Sequence, residues 1–524
     1  MKPLNVSLVA LLLVAACRSQ TDNTAYIDTA ADSTPMGVTP LPDTAYASTG
    51  ALIYTVELLD TTGSGQLADL NDAYAEAPGH LTFRGGALRD EHTAGSVVGT
   101  PSKIVHDWTF QTDIDDTKTV TGTWGGGSGW TGQPVYVSWS GEQMAEQRQK
   151  ANALTADFGE HEIIVGSLCG RVYFINYDTG RASREPLNAG NPIKGSVSLD
   201  PSLNGTLYVG QGIPAHPPIG HEAFNIFTHE HTFFYGPDPK AERNWGAFDS
   251  SPLVVGQYLF WPGENGTIYK YVRLENGSLR IHSKLRYHLK NRGAAGVENS
   301  LAAYRNYGFF GDNHGNILCI NLQTLHPVWL YEDGDDIDGS LVCEVDSTDG
   351  TPYIYAGCEV DQQGRTGLCR LVKLNAFTGQ RVWEQQLPCN QLHIGTKHFD
   401  GGLYCTPLLG HGDCEGKLFA SICQTGNSKN AEFICFDRSD GTIVYRTPLD
   451  FFAWSSPVPF YNERGELFIV TGDSAGHLYL IRGATGEILF KAVLGNNFES
   501  TPVAVGNTFV VGSRGQEIHR FHIE

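Results

Sequence analysis

The chain has 524 residues and a formal net charge of -21, with 57 acidic against 36 basic residues. This acidic excess argues against nucleic acid as a partner, because phosphate-binding surfaces need clustered Lys and Arg. The length alone would suggest several domains, but a repetitive chain grows by adding repeats to one ring or solenoid.

The N-terminus has the layout of a secretory signal. An apolar run that ends at Ala16 is too short to span a bilayer and is followed by Cys17. Leu13 to Cys17 resemble a lipobox, which implies cleavage before Cys17 and acylation of that cysteine; a simple signal peptide is the alternative. Arg18 in place of Asp favours the outer membrane in lipoprotein sorting of enteric bacteria. We predict a signal peptide at residues 1–16 and an exported, lipid-anchored protein.

Residues 17–78 are rich in Thr, Asp, Ala and Pro and have few large apolar side chains. Such a segment buries too little apolar surface to offset the entropy of ordering it, so we predict a flexible tether. Within it, Leu52 to Leu59 is a short apolar run typical of a strand or of an aggregation-prone segment.

From residue 79 onward one pattern recurs: a glycine, a short polar turn, and then a strand that usually ends in Asp or Asn. The clearest copies begin at Gly166, Gly263, Gly311 and Gly472. Each copy predicts a β-hairpin in which glycine supplies the positive φ of the turn. Hairpin repeats of this length are typical of propeller blades, because one small sheet cannot bury both of its faces alone.

A second recurring segment leads into an apolar strand and marks the junction between consecutive blades. The eight junctions are Trp130–Pro134, Lys194–Ser198, Asp249–Pro252, Glu298–Leu301, Asp338–Leu341, Tyr404–Pro407, Trp454–Pro457 and Glu499–Pro502. They predict an all-β, eight-bladed propeller of four-stranded antiparallel blades over residues 79–524. Only three strands follow the last junction, so Lys103 to Phe110 is predicted to supply the fourth strand and to close the ring.

Ten cysteines remain besides Cys17, an even number in a chain predicted to be exported, and this pattern predicts disulfides. Nine of them lie between Cys319 and Cys435. The sequence does not establish their connectivity. The preferred pairs, which bracket hairpin-like segments, are Cys358 with Cys369 and Cys414 with Cys423.

The closing and opening motifs of the repeat resemble a known family. The Thr-Gly-x-x-x-Trp closures such as Thr378 to Trp383, the Gly-Asp-x-x-Gly hairpins such as Gly311 to Gly315, and the Phe83 to Gly86 opening resemble the pyrroloquinoline-quinone (PQQ) type repeat of quinoprotein propellers. That superfamily includes quinone-dependent dehydrogenases and non-catalytic lipoproteins similar to the propeller subunit of the outer-membrane β-barrel assembly machinery. Both branches share the repeat, so the resemblance implies the fold and leaves the activity open.

The dehydrogenase branch carries two adjacent cysteines over its quinone and often passes electrons to a haem attached at Cys-x-x-Cys-His. Neither motif occurs in this sequence, and no nucleophile elbow or metalloprotease helix is found. The sequence therefore favours a non-catalytic protein without a cofactor, with PQQ or Ca²⁺ as the alternative.

The candidate site consists of polar and aromatic residues at the junctions. They are Lys194, Asp249, Glu298, Asp338, Glu499, Trp130 and Trp454. If the junctions are equivalent, these residues face the mouth of the central channel, where the carboxylates would bind a divalent cation, Lys194 an organic carboxylate, and a Trp an aromatic ring. The alternative is that the carboxylates cap turns by accepting hydrogen bonds from backbone amides, or contact channel water.

His229 and His231 form a His-x-His motif and are weak candidates for metal binding. They lie in an insertion rich in Pro and aromatic residues, where ordinary surface histidines are the favoured interpretation. Long insertions at about residues 140–160, 212–245 and 388–403 are predicted to form a binding surface at one face of the ring.

Together these observations predict an envelope lipoprotein that acts by binding, as a scaffold for envelope proteins or as a ligand-binding platform. It would be anchored to the outer membrane, on the periplasmic side or at the cell surface. One alternative is a PQQ- or metal-dependent oxidoreductase with its site in the central funnel. The other is a surface-exposed structural or adhesion protein.

Overall fold

The computed structural model describes residues 52–61, 73–91, 94–150, 153–394, 397–426 and 430–524. The predicted signal peptide, the acylation site at Cys17 and most of the predicted tether lie outside these residues. Within the described ranges, no helix has the length and apolar character that crossing a membrane requires.

The described chain folds into eight small antiparallel sheets arranged as the blades of a propeller, as predicted. Blades 1 and 2 contain Val135–Ser138, His161–Gly166, Arg171–Asn176 and Leu187–Asn188, then Ser198–Leu199, Thr206–Gly210, His221–Asn225 and Glu230–Tyr235. Blades 3 and 4 contain Leu253–Val255, Tyr258–Gly263, Thr267–Arg273 and Leu279–Leu289, then Ala302–Tyr304, Tyr307–Gly311, Asn316–Asn321 and Pro327–Glu332. Blades 5 and 6 contain Val342–Val345, Pro352–Gly357, Thr366–Asn375 and Arg381–Asn390, then Leu408–Leu409, Lys417–Cys423, Ala431–Asp437 and Ile443–Pro448. Blades 7 and 8 contain Val458–Tyr461, Leu467–Gly472, His477–Arg482 and Ile488–Val493, then Val503–Val505, Thr508–Ser513, Glu517–Ile523 and Ile104–Gln111.

Blade 8 closes the ring with a strand from the N-terminal side of the propeller. Ile104–Gln111 pairs antiparallel with Glu517–Ile523 over its whole length. The predicted closing strand is therefore confirmed. This pairing covers the edge of Glu517–Ile523 and makes Ile104–Gln111 the outer strand of blade 8.

Tryptophans on fourth strands join consecutive blades and explain the Thr-Gly-x-x-x-Trp closure. Trp329 of blade 4 donates from Nε1 to the Ala376 carbonyl of blade 5 at 2.9 Å, and its ring covers Gly379. A Cβ at Gly379 would lie 2.7 Å from that indole, and its φ of 69° is in the left-handed region. Glycine at this turn therefore lets the tryptophan of the preceding blade pack flat against it.

The up-and-down order of the strands gives the ring two faces. The junctions and the hairpins between second and third strands lie at one face, here called the upper face. Helix Gly141–Lys150 follows the first strand of blade 1 and therefore lies at the opposite face. The prediction that residues 140–160 and 388–403 share a face is wrong for this reason. The segment 212–245 is also more than an insertion, because it contains the third and fourth strands of blade 2.

A strand within the predicted tether adds to the outside of blade 3. Leu52–Leu58 pairs antiparallel with Leu279–Leu289 and becomes the fifth strand of that blade. Glu57 accepts a 2.9 Å hydrogen bond from Arg286, and Asp60 accepts one of 2.6 Å from Arg280. This part of the predicted tether is therefore an ordered strand.

Residues 79–91, here called the plug, fill the central channel. The first strands of three blades donate backbone hydrogen bonds to it, from Leu199 to Leu81, from Ala303 to Ala87 and from Cys343 to Leu88. The chain thus rises beside the first strand of blade 1, descends beside that of blade 7, and is bonded to the inner wall of the ring. The channel is closed beneath its upper mouth.

The remaining short elements lie outside the regular blades. They are the strands Gly79–His80, Gly95–Ser96, Asp115–Thr119, Gly122–Gly125, Glu359–Val360, Leu392–Ile394, Lys397–Phe399 and Gly401–Gly402 and the short helix Gly412–Cys414.

Candidate functional site

A narrow cavity, here called the funnel, lies at the upper mouth of the channel. Phe83 of the plug reaches it from below, and the junctions of several blades surround it. Asp249, Glu298 and Asp338 line one side. The space that the centre of a water-sized sphere can occupy is about 20 Å³, enough for a water molecule or an ion.

The acidic side of the funnel is built by blades 3 to 5. Asp249, Glu298 and Asp338 precede the first strands of blades 3, 4 and 5, and Glu264 lies in the hairpin that joins the second and third strands of blade 3. Carboxylate oxygens of Asp249, Glu264 and Glu298 lie within 4.8 Å of one another. Three carboxylates therefore converge on one point from three separate loops.

Lys194, from the junction into blade 2, is the cation beside these acids. Its ammonium contacts Asp249 and lies 3.6 Å from Glu298. Burial opposes the charged form of Lys194, but Asp249, Glu298 and Glu264 outweigh burial and raise the pKa of the ammonium above its ordinary value. Lys194 is therefore charged at neutral pH.

One ammonium does not balance the surrounding acids. Burial raises the pKa of Asp249 to about 6 against the opposing effect of Lys194. Burial, followed by the charges of Glu298 and Asp249, raises the pKa of Glu264 well above its ordinary value. Burial and Glu298 do the same to the pKa of Asp338. Each shift reports a carboxylate that lacks sufficient compensation for its charge.

Several of these oxygens accept no hydrogen bond from any described residue. They are Oδ1 of Asp249, Oε1 of Glu264, Oε2 of Glu298, Oδ1 of Asp336, Oδ1 of Asp338 and Oε1 of Glu359. Oδ2 of Asp249, by contrast, contacts the Lys194 ammonium. Buried polar atoms in native proteins almost always have a partner, and a group of orphaned acceptors at one place requires an explanation.

Aromatic side chains form the other side of the funnel. The Lys194 ammonium lies 4.1 Å from the ring centre of Trp130, in cation–π geometry. Trp130 meets Trp454 edge to face at 5.4 Å, and Trp454 stacks on Tyr404 at 4.9 Å. The indole Nε1 of Trp454 is buried without a hydrogen-bond partner among the described residues.

Six of the seven predicted residues meet at the funnel, and Glu499 does not. Glu499 accepts hydrogen bonds from the Trp130 amide at 3.3 Å, from Asn497 at 2.7 Å and from Arg514 at 3.2 Å. It holds the loop that carries Trp130. The turn-capping alternative therefore describes Glu499, whereas Asp249, Glu298 and Asp338 line the funnel together.

The sequence reasoning missed four funnel residues. They are Glu264, Asp336, Glu359 and Tyr404. Glu264 stands inside the Gly263 to Gly266 turn of a recognised hairpin, and Glu359 in the corresponding hairpin of blade 5. These hairpins share the upper face with the junctions. An acidic residue in such a turn is therefore the signal that could have identified Glu264 and Glu359.

The structure does not gather His229 and His231 into a metal site. His229 lies 3.2 Å from the Glu185 carbonyl oxygen, whereas His231 pairs with Glu222 at 3.0 Å and stacks on Phe224. The two imidazoles thus have separate partners.

The predicted disulfides are not formed, because the ten described cysteines are free thiols. The Cys358 amide pairs with the Arg370 carbonyl, so strand alternation places Cys369 on the other face of blade 5. Cys414 precedes the strand Lys417–Cys423, and Cys423 ends it. The two ends of that strand are about 20 Å apart, beyond the reach of a disulfide.

The sequence matches no family model and no curated protein. Among solved structures, the fold is similar to a europium-containing methanol dehydrogenase, with a TM-score of 0.60 and 12% identity, covering 86% of this chain and 99% of the other. A quinohemoprotein alcohol dehydrogenase from Comamonas testosteroni gives a TM-score of 0.57 and 11% identity, covering 86% and 81%. BamB from Moraxella catarrhalis gives a TM-score of 0.48 and 17% identity, covering 74% and 98%.

The two dehydrogenase structures confirm the predicted fold, an eight-bladed propeller. At 12% identity or less, the likeness concerns the fold alone. Activity must be argued from the funnel itself.

Proposed function

We propose that the protein acts by binding and that its funnel holds a multivalent cation such as Ca²⁺. The observation that carries this proposal is the group of buried carboxylate oxygens without partners on the acidic side. Ca²⁺ takes six to eight oxygen ligands, and carboxylates from separate loops are its usual donors. A cation would supply the missing partner to several of these oxygens at once.

The charges of the site support a multivalent ion. Asp249, Glu264, Glu298 and Asp338 surround the single ammonium of Lys194. If all four acids are ionised, three negative charges remain. Bound cations are often the largest local charge in such a site and restore the ionised form of the acids. Asp249, Glu264 and Glu298 are the residues that would hold the ion.

The contacts of the funnel do not favour a quinone. The Lys194 ammonium lies over the Trp130 ring, and Trp454 stacks on Tyr404, so these ring faces are not free for a flat three-ring molecule. The sequence also lacks the adjacent cysteines of quinone dehydrogenases. The proposal is therefore a binding platform, and no reaction is assigned to the funnel.

The same proposal places the protein in the envelope, exported and lipid-anchored through Cys17, with other envelope proteins as partners. The signal-like N-terminus and the lipobox-like Leu13 to Cys17 support it. Metabolic labelling with a radioactive fatty acid should label the wild-type chain and not Cys17→Ala. Equal labelling of the two chains would refute the anchor.

Cation binding is tested on the full-length protein after removal of metal with EDTA. Calorimetric titration with Ca²⁺ and with La³⁺, together with elemental analysis, should give one tightly bound ion per chain. Glu298→Gln should weaken binding at least about 10-fold, since it removes a ligand. The matched control is Glu487→Gln, at a side chain that is 61% exposed on blade 7, and its affinity should equal that of the wild type.

Two results would contradict the proposal. One is a funnel that binds no cation, or binds it equally well in Glu298→Gln. The other is stoichiometric retention of PQQ after incubation with Ca²⁺ and PQQ, seen in the absorbance of the dialysed protein, which would favour the oxidoreductase alternative.

A further inference from the structure

A second group of metal-ligating side chains lies at the upper face where blade 5 leads into blade 6. Glu359–Val360 pairs antiparallel with Gly401–Gly402, and continuing this register places Asp361 opposite Asp400. Side chains of a strand alternate between its two faces, so Glu359 and Asp361 share a face, and His398 and Asp400 share one as well. The pairing brings these acidic and imidazole groups together.

The distances suit a single ion. Ligand atoms of Asp361, His398 and Asp400 lie within 4.8 Å of one another. His398 Nε2 is 3.9 Å from Asp400 Oδ1, too far for a hydrogen bond, yet both atoms can reach a common point about 2.0–2.2 Å away. The ring of His393 lies 5.8 Å from that of His398 across the short hairpin.

Neighbouring amides hold the Asp400 carboxylate and the backbone of both acids in place. Gln391 Nε2 donates to Asp400 Oδ1 at 2.7 Å and to the Asp361 carbonyl at 2.9 Å. Gln424 Nε2 donates to the Asp400 carbonyl at 2.9 Å. Such outer partners orient metal ligands and are typical of built sites.

One acid of the funnel, Glu359, also stands beside this group. Glu359 is only 3% exposed, stands two residues from Asp361 on the same face, and leaves its Oε1 without a hydrogen-bond partner. Asp361, Asp400 and the buried Glu359 therefore lie near one another, with the imidazole of His398 beside them.

We propose that Asp361, His398 and Asp400 form a site for a divalent transition metal of the Zn²⁺ type, with His393 near enough to join as a fourth ligand. Imidazole with carboxylate is a ligand set that suits Zn²⁺, Ni²⁺ and Cu²⁺, whereas Ca²⁺ prefers oxygen alone. The site thus differs from the funnel in its chemistry. It does not depend on whether the funnel binds a cation.

The test is calorimetric titration of the metal-free, full-length protein with Zn²⁺ in excess Ca²⁺, which occupies oxygen-only sites. One Zn²⁺ should bind per chain, and His398→Ala should weaken binding at least about 10-fold. His398 is 51% exposed, so this variant should keep the wild-type melting temperature. The matched control is His411→Ala, because His411 is also exposed and its imidazole lies 3.2 Å from the carboxylate of Glu415, the one acid paired with it among the described residues.

A separate readout identifies the ligands. Cu²⁺ bound in place of Zn²⁺ should show imidazole nitrogen coupling in electron paramagnetic resonance, and His398→Ala should lose the coupling of that ligand. Glu298→Gln, in the funnel, should bind Zn²⁺ as the wild type does. Failure to bind Zn²⁺, or equal binding by wild type and His398→Ala, would overturn the proposal while leaving the funnel proposal untouched.

Discussion

Two groups of buried charge lie next to each other along the channel axis, and they differ in how their charge is satisfied. In the plug, Arg84 donates to the Pro457 carbonyl at 2.8 Å and to the Pro407 carbonyl at 3.3 Å, and it lies 3.3 Å from Glu91. In the funnel, by contrast, acids outnumber the single ammonium and several of their oxygens have no partner. Burial of charge alone therefore does not indicate a ligand site, whereas unsatisfied buried charge does.

The plug arginines also explain how the ring is held together at its centre. Arg89 donates from Nε to the Leu301 carbonyl at 2.9 Å and from Nη2 to the Ser251 carbonyl at 3.2 Å. Together, Arg84 and Arg89 donate hydrogen bonds to backbone carbonyl groups that precede the first strands of four blades. These are structural charges, because each finds its acceptors within the protein.

The largest expected effect comes from breaking the satisfied group. Arg84→Met should lower the free energy of unfolding by about 3–5 kcal/mol, because it leaves Glu91 buried with a charge that has lost its main partner. Urea denaturation of the full-length protein measures the change. Arg464→Met, which alters a side chain that is 55% exposed, should change stability by no more than about 0.5 kcal/mol. A loss below about 1 kcal/mol for Arg84→Met would show that the plug charges are not structural.

The opposite sign is expected in the funnel. Glu264→Gln should stabilise the metal-free protein at pH 8 by about 1–3 kcal/mol, because it removes a buried carboxylate whose pKa is raised by burial and by Glu298 and Asp249. At a pH below the ordinary pKa of glutamate, Glu264 is protonated in both the folded and the unfolded chain, so its carboxyl group does not lower the free energy of unfolding. As the pH rises, the unfolded chain releases the proton first, so wild-type stability falls by up to about 1.4 kcal/mol per pH unit until the folded pKa is reached.

The measurement is urea denaturation of wild type and Glu264→Gln at pH 4 and pH 8, each with and without Ca²⁺. The two proteins should differ little at pH 4 and most at pH 8 without Ca²⁺. Added Ca²⁺ should stabilise the wild type more than the variant, because a ligand stabilises the state that binds it. A variant less stable than the wild type at pH 8 without Ca²⁺ would mean that Glu264 has partners within the protein. The plug and the funnel would then not differ in how their buried charge is satisfied.

The fold could be predicted because its signals are local. The turn glycines of the repeats, Gly170, Gly266, Gly315 and Gly476, have φ between 76° and 85°, as the hairpin pattern requires. The closing strand was predictable because the eighth blade ended one strand short. The junction residues of blades 2 to 5 were predictable as well, since they occupy the same place in each repeat.

What could not be predicted depends on distant contacts. Arg84 reaches Pro457 across 373 positions, and nothing near Phe83 to Gly86 indicates that contact. The junction position alone also does not separate Asp249 from Glu499, because their difference lies in the neighbours that each acid meets. The disulfide prediction failed for a local reason that strand alternation could have revealed, since Cys358 and Cys369 fall on opposite faces of one blade.

The smallest effect is expected at Glu499, which occupies the same junction position in its repeat as Glu298. Glu499→Gln should cost no more than about 1 kcal/mol, because the amide oxygen can still accept from the Trp130 amide and from Arg514. Its affinity for Ca²⁺ should equal that of the wild type, in contrast to Glu298→Gln, since Glu499 already has partners within the protein. Calorimetric titration of both variants decides the matter. If Glu499→Gln weakens binding as much as Glu298→Gln does, the acidic side extends to blade 8, and having partners would no longer distinguish a structural acid from a ligand.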